Sequence, residues 1–589
     1  MLRFLKYFKG IEWFFFFMML LLNVGQVFLD LKLPDYMSEI IALVLSGAEM
    51  SEIWLKGATM LAIALGSICM LIASDYFASV TAARYTMRMR GMIFDKVQSM
   101  SQGTINHFTT ASLITRSTND VTQVGNALSM GFKVAIYAPL LATFALIKVI
   151  DKSSELSLAT GLSIVTLVVL IVFIFSFAIP RFKKIQKLTD KVNGINRENL
   201  SGLRVVRAFN AEDYQKEKFE GTNEKLRKQN TFIGKLMSTM SPIMSLVMNG
   251  LSLTIVWLGA YLVADGSLDI PTMTAFTMYA MQVVSGFLLL SIIFVLVPRA
   301  TVSLKRIYEV LDAEETINDG IGIENSNNTN KISVDNAQNE YFIEFKKIDF
   351  KYPDAEEYVL KNINFTCKLG ETIAFIGSTG SGKSTLINLI PRFYDATSGE
   401  ILINGINIKD YKLSELHSML GYVPQKGNLF KGTVKSNIDF GNRNLTDEQI
   451  EKALSIAEAS AFVKKIGGLD AEIAQNGSNL SGGQKQRLSI ARAIAHNPMI
   501  CIFDDSFSAL DYKTDKNLRA KLNKEMKQTT KFIVAQRIGT IKDADKIVVL
   551  DSGNVVGIGT HEELLKDCTI YQEIANSQLS KEELYGQNN

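Results

Sequence analysis

Long uninterrupted runs of apolar residues constrain this chain more than any other feature. They occupy the sequence up to about Arg299, and several exceed the roughly 18 residues that a helix needs to cross a bilayer. Because lipid offers no partners to backbone polar groups, such runs must form helices whose hydrogen bonds are internal. We predict six membrane-spanning helices, near residues 13–33, 55–82, 125–150, 157–180, 240–264 and 271–298.

The distribution of basic residues predicts how these spans are oriented. The connections 34–55 and 264–269 contain no Lys or Arg, whereas the connections 83–124 and 181–239 contain many. Since positively charged connections stay on the cytoplasmic side, both termini and both long connections should be cytoplasmic.

The extreme N-terminus supports the same orientation. Arg3, Lys6 and Lys9 lie among apolar residues, a composition suited to an anionic inner leaflet. A cleaved signal peptide is the alternative, but the run from Trp13 to Leu33 is longer than the apolar region of a signal peptide.

The two long connections are themselves predicted to be helical. Apolar residues recur at helical spacing through Met87–Phe94 and Leu200–Val206. We predict that each connection consists of two helices continuing out of the membrane, joined by a short turn near His107 or near Asp213.

Polar and flexible side chains within the spans mark a candidate substrate cavity. Methionine and aromatic side chains suit a cavity for varied apolar ligands, although ordinary helix packing explains them equally well. Asp30 also falls in a span, where an ionisable group usually faces protein or water; a position near the outer headgroups is the alternative. The predicted cavity residues are Asn23, Gln26, Met244, Met248, Asn249, Met278 and Gln282.

Composition changes after the last span. We predict a membrane domain over residues 1–315, a polar Asn-rich linker over 316–340 and a mixed-charge domain over 341–589. The formal net charge of +3 in 589 residues gives no electrostatic case for binding nucleic acid. The four cysteines and four histidines are scattered, so we expect no disulfide and no zinc site, and interpret Cys69 and Cys501 as small apolar fillers.

A phosphate-binding loop follows the apolar run Ile373–Ile376. Its glycines allow backbone N–H groups to turn inward around phosphate oxygens, Lys383 can reach the β- and γ-phosphates, and the hydroxyl of Ser384 can ligate Mg²⁺. The loop therefore predicts a nucleoside triphosphate site with Mg²⁺. Its residues are Gly377, Ser378, Thr379, Gly380, Ser381, Gly382, Lys383, Ser384 and Thr385.

Two later motifs refine this prediction. The apolar stretch Met499–Phe503 ends in Asp504, as expected of a buried strand that places a carboxylate beside Mg²⁺. Between the loop and this strand lies Leu480-Ser481-Gly482-Gly483-Gln484. This pentapeptide resembles the signature of the ATP-binding cassette (ABC) transporters, and the resemblance covers nearly the whole chain.

The resemblance implies roles for further residues. Tyr352 matches the aromatic residue that stacks on adenine, Gln425 matches the glutamine that senses the γ-phosphate and contributes to the Mg²⁺ site, and Asp511 lies in the D-loop. It also implies the fold class: an all-α domain of six transmembrane helices with long cytoplasmic extensions, followed by an α/β P-loop ATPase domain. Two such half-transporters would form a dimer in a lipid bilayer, each signature closing on the ATP of the partner chain.

Two positions depart from the family pattern at the γ-phosphate. Asp505 replaces the Glu that polarises the attacking water, and Gln536 replaces the switch His. Because Asp505 is one methylene shorter and a positioned base contributes about 10²–10⁴ in rate, we expect ATP binding with slow turnover at this loop. The intact signature predicts a different partner chain with a complete site, that is, a heterodimeric exporter.

The sequence indicates only the general class of the substrate and the type of membrane in which the chain lies. The favoured interpretation is ATP-driven export of small amphipathic or apolar, drug-like compounds across the cytoplasmic membrane of a bacterium. Export of a lipid or peptide is one alternative, and an ATP-gated sensor or regulator without net transport is another.

Overall fold

The computed structural model describes residues 2–322, 341–353, 355–441 and 444–578. These residues form two compact units. The first unit contains the residues up to Gln98 and Ala111–Asp312, and the second contains Ser99–Thr110 and the described residues from Ala313 onward. Residues 316–322 of the predicted linker lie outside helices and strands, and residues 323–340 lie outside the described residues.

The first unit is built from helices. A short 3₁₀ helix, Leu2–Tyr7, precedes them, and two π-helical turns, Arg116–Asp120 and Ala127–Gly131, join α4, α5 and α6. The helices are α1 (Gly10–Leu45), α2 (Met50–Ser99), α3 (Gln102–Phe108, in the second unit), α4 (Thr110–Thr115), α5 (Val121–Asn126), α6 (Phe132–Lys152), α7 (Ser154–Ser201), α8 (Leu203–Ala208), α9 (Glu212–Ala264) and α10 (Ile270–Leu311).

Six helices in the described part of the chain are long and apolar enough to cross a membrane. They are α1, α2, α7, α9, α10 and the continuous helix that runs from α4 into α6. The six-helix prediction is therefore confirmed. Helices satisfy their backbone hydrogen bonds internally, which leaves side chains such as Val172 and Trp257 free to face lipid, and both are exposed on this unit.

The buried core of this unit lies between α1, α6 and α10. Val27, Leu141, Phe276, Tyr279 and Val283 are among its members, and none is more than 4 % exposed. Helices α7 and α9 instead lie mainly along each other. Methionines 244 and 248, predicted to line a cavity, belong to or pack against the buried cluster.

The two long connections, residues 83–124 and 181–239, differ in detail from the prediction. The break near His107 is itself a short helix, α3, whose N-terminus is capped by Ser101. The helical spacing through Leu200–Val206 is interrupted, because α7 ends at Ser201 and Gly202 separates it from α8. The second break therefore precedes Asp213, which lies in the first turn of α9.

A buried ion pair fixes the start of the first span. Glu12 is fully buried and accepts two hydrogen bonds from the guanidinium of Arg88 on α2, one of them 2.9 Å long. The backbone N–H of Lys9 donates to the same carboxylate over 2.7 Å. Arg88 also donates to the backbone carbonyl of Tyr7, so that α1 and the preceding 3₁₀ helix are both held against α2.

The second unit is an α/β domain. Its strands are β1 (Ile343–Phe350), β2 (Leu360–Cys367), β3 (Thr372–Gly377), β4 (Ser398–Ile403), β5 (Ile406–Asn407), β6 (Leu420–Val423), β7 (Gly432–Thr433), β8 (Glu472–Ile473), β9 (Ile500–Asp504), β10 (Thr530–Val534), β11 (Lys546–Asp551) and β12 (Asn554–Gly559). Its helices after α3 are α11 (Lys383–Leu389), α12 (Leu413–Ser418), α13 (Val434–Ile438), α14 (Asp447–Ile456), α15 (Ser460–Ile466), α16 (Gly482–Ile494), α17 (Tyr512–Glu525), α18 (Ile538–Ile541), α19 (His561–Asp567) and α20 (Thr569–Gln578).

Two sheets organise the domain. The smaller is antiparallel in the order β2-β1-β4-β5, and the larger has the order β12-β11-β3-β10-β9-β6. In the larger sheet all neighbours are parallel except β12, which pairs antiparallel with β11. The carboxyl ends of β3, β9 and β10 therefore lie at one edge, where ligands of such sheets bind. Cys501 is buried in β9, as interpreted, whereas Cys69 is exposed and does not fill a core.

Candidate functional site

The loop after β3 has the backbone shape that phosphate binding needs. Gly380 and Gly382 have φ angles of +85° and +98°, a region that strongly favours glycine. A Cβ on Gly377 would lie 1.9 Å from the carbonyl oxygen of Leu550, so no larger residue fits there. The glycines of the predicted loop are thus required by its geometry.

Lys383 and Ser384 hold the polar interior of the loop. The Lys383 ammonium donates to the carbonyl oxygens of Gly377 and Ser378 over 2.9 and 2.7 Å. The Ser384 hydroxyl donates to Asp504 Oδ1 at the end of β9 over 2.8 Å. The two predicted Mg²⁺ ligands from separate motifs are therefore adjacent, and oxygen donors of this kind fit that cation.

Burial shapes the charges of this site. It raises the pKa of Asp504; the Ser384 hydrogen bond opposes this, and repulsion from Asp505 adds to it. Burial also lowers the pKa of Lys383. A buried carboxylate without a full counter-charge is stabilised when a cation binds, so this electrostatic arrangement favours Mg²⁺ with a polyphosphate.

Asp505 is enclosed by the two amides expected near the γ-phosphate. Gln536 Nε2 donates to Asp505 Oδ2 over 2.8 Å, and Gln425 Nε2 donates to the same oxygen over 3.3 Å. Asp505 is 8 % exposed and has a φ of +47°. The two residues that depart from the family pattern, Asp505 and Gln536, are therefore in direct contact.

Tyr352 lies beside the loop in an aromatic group. Its hydroxyl is 3.0 Å from Thr385 Oγ1, and its ring meets the ring of Tyr394 edge to face at 5.2 Å. Tyr394 in turn accepts a hydrogen bond from Asn106 of α3 over 3.2 Å. The ring predicted to stack on adenine is thus connected to the loop and to α3.

The phosphate-binding loop, Gln425, Asp505 and Gln536 line a cavity of about 650 Å³, and Tyr352 is not among its lining residues. Sequence reasoning missed one of its walls, which helix α20 provides. Gln578 on this helix donates to the backbone carbonyl of Gln536 over 2.7 Å and accepts from the N–H of Ile538 over 2.8 Å. No motif marks Gln578, because its role depends on where α20 docks. The lining residues are Ile376, Gly377, Ser378, Thr379, Gly380, Lys383, Ser384, Gln425, Asp505, Val534, Gln536, Asp551, Ile570, Glu573, Ile574, Ser577 and Gln578.

The signature and the D-loop residue do not line this cavity. Ser481 caps α16: its hydroxyl accepts from the N–H of Gln484, whose side chain accepts from the N–H of Ser481 over 2.9 Å. Ser481 and Gly482 are exposed, so the capped N-terminus of α16 faces outward. Asp511 caps α17 by accepting from the N–H of Thr514 over 3.0 Å.

The predicted substrate residues separate into two groups. Asn23, Gln26 and Gln282 are buried or half-buried, and all three take part in polar contacts. Met278 is half-buried, Met244 and Met248 belong with the apolar core, and Asn249 is exposed. The structure thus brings Gln26 and Gln282 together at Asp30, whereas Asn23 contacts Ser74 and Asn249 is apart from both.

Comparisons with known proteins agree with this architecture. Residues 16–287 match the model of the ABC transporter transmembrane region, and residues 360–508 match the model described as ABC transporter. An uncharacterized ABC transporter ATP-binding protein of Mycobacterium tuberculosis is 35 % identical over 95 % of both chains. A Staphylococcus aureus ATP-binding/permease protein, whose name proposes multidrug export, is 33 % identical over 86 % of both chains.

A solved structure has the same fold. It is a bacterial Atm1-family ABC exporter with ATP bound, with a TM-score of 0.76 and 22 % identity, covering 97 % of this chain and 98 % of that chain. The fold class predicted from the sequence is therefore confirmed. The chain belongs to the ABC transporter family and has the architecture of an ABC exporter half-transporter.

Proposed function

We propose that this chain is one half of a heterodimeric ABC exporter that moves small amphipathic or apolar compounds out of a bacterial cell. Its own site holds ATP and cleaves it slowly, while its signature completes the faster site of a different partner chain. The observation that carries this proposal is the enclosure of the Asp505 carboxylate by two amides.

The chemistry of those amides supports slow turnover. A general base must reach the proton of the attacking water within about 3 Å. One oxygen of Asp505 is already shared by Gln425 and Gln536, and neither amide can accept a proton at neutral pH. Losing a positioned base lowers the rate about 10²–10⁴-fold, so hydrolysis here is slow while binding is kept.

Binding residues of the site are complete. We propose that Lys383 and the loop N–H groups hold the phosphates, that Tyr352 stacks on adenine, and that Ser384, Asp504 and Gln425 orient Mg²⁺. That ion supplies neutralisation of phosphate charge. Burial raises the pKa of Asp504, which means that its ionised form is destabilised without a counter-charge. A bound cation would therefore stabilise the ionised carboxylate. ATP then serves mainly to hold two cassettes together.

A partner is supported by surfaces that are exposed on this chain. The capped N-terminus of α16 presents Ser481 and Gly482 outward, as a signature that closes on another chain's ATP would require. Helix α8 and the residue after it likewise expose apolar side chains: Val205 is 59 % and Phe209 is 79 % exposed. Exposed apolar groups concentrated on a short cytoplasmic helix indicate an interaction surface.

Further parts of the proposal rest on the sequence. We propose that both termini are cytoplasmic and that the membrane domain ends near residue 315 and the ATPase domain begins near 341. The name of the Staphylococcus aureus relative supports a drug-like substrate. We also propose that Asp511 contributes to the contact between the two cassettes.

The experiment compares the chain alone with the chain co-expressed with the product of its neighbouring gene. We expect the lone chain to bind ATP but hydrolyse it slowly, and the complex to hydrolyse it fast even with Asp505→Ala. Ser481→Arg in this chain should abolish the activity of the complex. Fast hydrolysis by the lone chain, unchanged by Asp505→Ala, would contradict the proposal.

A restoration experiment tests the cause of the slow site. Asp505→Glu combined with Gln536→His should raise turnover at this site about 10²-fold, measured by single-site nucleotide trapping in the complex. Accumulation of a drug-like dye in inside-out vesicles separates transport from ATP-gated regulation. If trapping is unchanged by the double substitution, the two departures do not limit turnover.

A further inference from the structure

A carboxylate in the first span accepts hydrogen bonds from neutral donors on two other helices and on its own helix. The hydroxyls of Ser67 on α2 and Tyr137 on α6 donate to the two oxygens of Asp30, the second over 2.9 Å. Gln26, one turn earlier on α1, directs its amide nitrogen at the carboxylate from 3.5 Å. Asp30 is thus a fixed acceptor surrounded by other polar groups.

The neighbours of Asp30 place it deep in the membrane. Ser67, Tyr137 and Gln282 each lie near the middle of a predicted span, at least 11 residues from either end. At 1.5 Å per residue this is about 16 Å or more along each helix axis. Asp30 contacts all three of these residues, and α1 continues beyond it to Leu45, past the predicted end of the first span at residue 33. Both observations argue against a position among the outer headgroups.

Pro34 explains why the backbone takes part in this cluster. Proline has no N–H, so the carbonyl of the residue four positions earlier, Asp30, loses its helical partner. Gln282 on α10 donates its amide nitrogen to that carbonyl over 3.1 Å. The side chain of Gln282 is therefore oriented by a gap in the α1 hydrogen-bond ladder.

Three amides in this region have an oxygen without a partner. The nitrogen of Asn23 donates to the Met19 carbonyl and to Ser74, and the nitrogens of Gln26 and Gln282 face Asp30. Because each nitrogen already faces an acceptor, the orientation of each amide is defined. Among the described residues, Asn23 Oδ1, Gln26 Oε1 and Gln282 Oε1 are buried and receive no hydrogen bond.

Burial makes these unmet oxygens significant. Asn23 is fully buried and Gln26 is 6 % exposed, and a buried acceptor without a donor is unfavourable. Asn23, Gln26 and Asp30 also lie on one face of α1, at spacings of three and four residues. The cluster therefore has excess acceptors and needs donors.

The cluster also lacks a positive charge. Among the described residues no Lys or Arg forms an ion pair with Asp30. By contrast Asp35, on the same helix, pairs with Lys148 at 3.3 Å. An ionisable group inside a span and without a counter-charge is characteristic of a functional site.

We propose that this cluster, defined by Gln26, Asp30 and Gln282, binds the positively charged nitrogen of an amphipathic organic amine. An ammonium group supplies both the missing charge and the N–H donors that Gln26 Oε1 and Gln282 Oε1 lack. This inference rests on the proposed export function and names its substrate class. The apolar part of the ligand would contact the neighbouring apolar side chains of the same unit.

The test uses the purified full-length chain in lipid nanodiscs, without ATP, and two fluorescent probes. Dansylcadaverine carries a primary ammonium, and its N-acetyl derivative is neutral but otherwise matched. We expect wild type to bind the ammonium about 10–100-fold more tightly. Asp30→Asn should remove this preference and leave binding of the neutral probe unchanged, whereas Asp35→Asn should keep the preference.

Two results would overturn the proposal. One is equal affinity of wild type for both probes, including no binding of either; the other is a preference that persists in Asp30→Asn. Binding of a fluorescent ATP analogue by each variant shows that it is folded. Since no hydrolysis is involved, a negative result here leaves the separate test of the slow ATP site unaffected.

Discussion

Gln578 on helix α20 makes hydrogen bonds to the segment that carries Gln536. Truncating this side chain should make the segment unfold locally more often. Gln578 is the partner of both the Gln536 carbonyl and the Ile538 N–H. Ile538 is fully buried, and its N–H has no other partner among the described residues. In Gln578→Ala both hydrogen bonds are lost, and a buried donor is left without a partner.

The expected magnitude follows from those two contacts. Each hydrogen bond contributes about 1 kcal/mol. Losing both should therefore lower the free energy of local unfolding of the segment that carries Gln536 and Ile538 by about 2 kcal/mol. We therefore expect amide hydrogen exchange at Ile538 to become about 30-fold faster. Gln578→Glu keeps the acceptor for Ile538 but loses the donor to Gln536, so its effect should be about half as large in free energy.

Ser577→Ala provides a matched control. Ser577 lies on the same helix and lines the same cavity, but its hydroxyl bonds only the carbonyl of Ile574 within α20. Exchange at Ile538 should be unchanged in that variant. Unchanged exchange in Gln578→Ala, or an equal increase in Ser577→Ala, would refute the reasoning.

Three further predictions concern charge and cation binding. Arg88→Ala leaves the fully buried Glu12 without its cation and should destabilise the protein by about 3–5 kcal/mol in thermal unfolding, with recovery in the Glu12→Gln, Arg88→Met double variant. Burial lowers the pKa of His561 from 6.5, so the folded state resists protonation and stability should fall as pH drops below that value; His561→Gln should flatten this dependence. Ser384→Ala removes the contact with Asp504 and should weaken binding of a fluorescent ATP analogue about 10-fold with Mg²⁺ present; an equal loss in a metal chelator would contradict this role.

The geometry of the candidate ATP site was largely predictable because the shape of its loop is encoded locally. Glycines at 380 and 382 specify the positive φ angles of the loop, and an apolar strand before each motif places its end at one edge of the sheet. That rule brings Asp505 and Gln536 together although 30 residues separate them. Their direct hydrogen bond requires the structure.

Features that depend on docking or depth were not predictable. Helical spacing continues through Leu200–Val206, so the break at Gly202 had no periodic signal. Gln578 acquires its role only when α20 packs beside β3. The depth of Asp30 in the membrane is inferred from its contacts with Ser67 and Tyr137, which are distant in sequence. The sequence alone therefore could not decide between a position facing protein or water within the span and one near the outer headgroups.

The length of α9 has a mechanical consequence. Its 53 residues span about 80 Å, and the part before the predicted membrane edge at residue 240 accounts for about 40 Å. A tilt of 10° about that edge would carry the Glu212 end through about 7 Å and the Ala264 end through a similar arc in the opposite direction. Pro242 in α9 and Pro180 in its neighbour α7 lie close to this fulcrum, where a missing N–H makes each helix easiest to bend. A movement at one end of the paired helices would therefore reach the other end with its direction reversed and its size nearly unchanged.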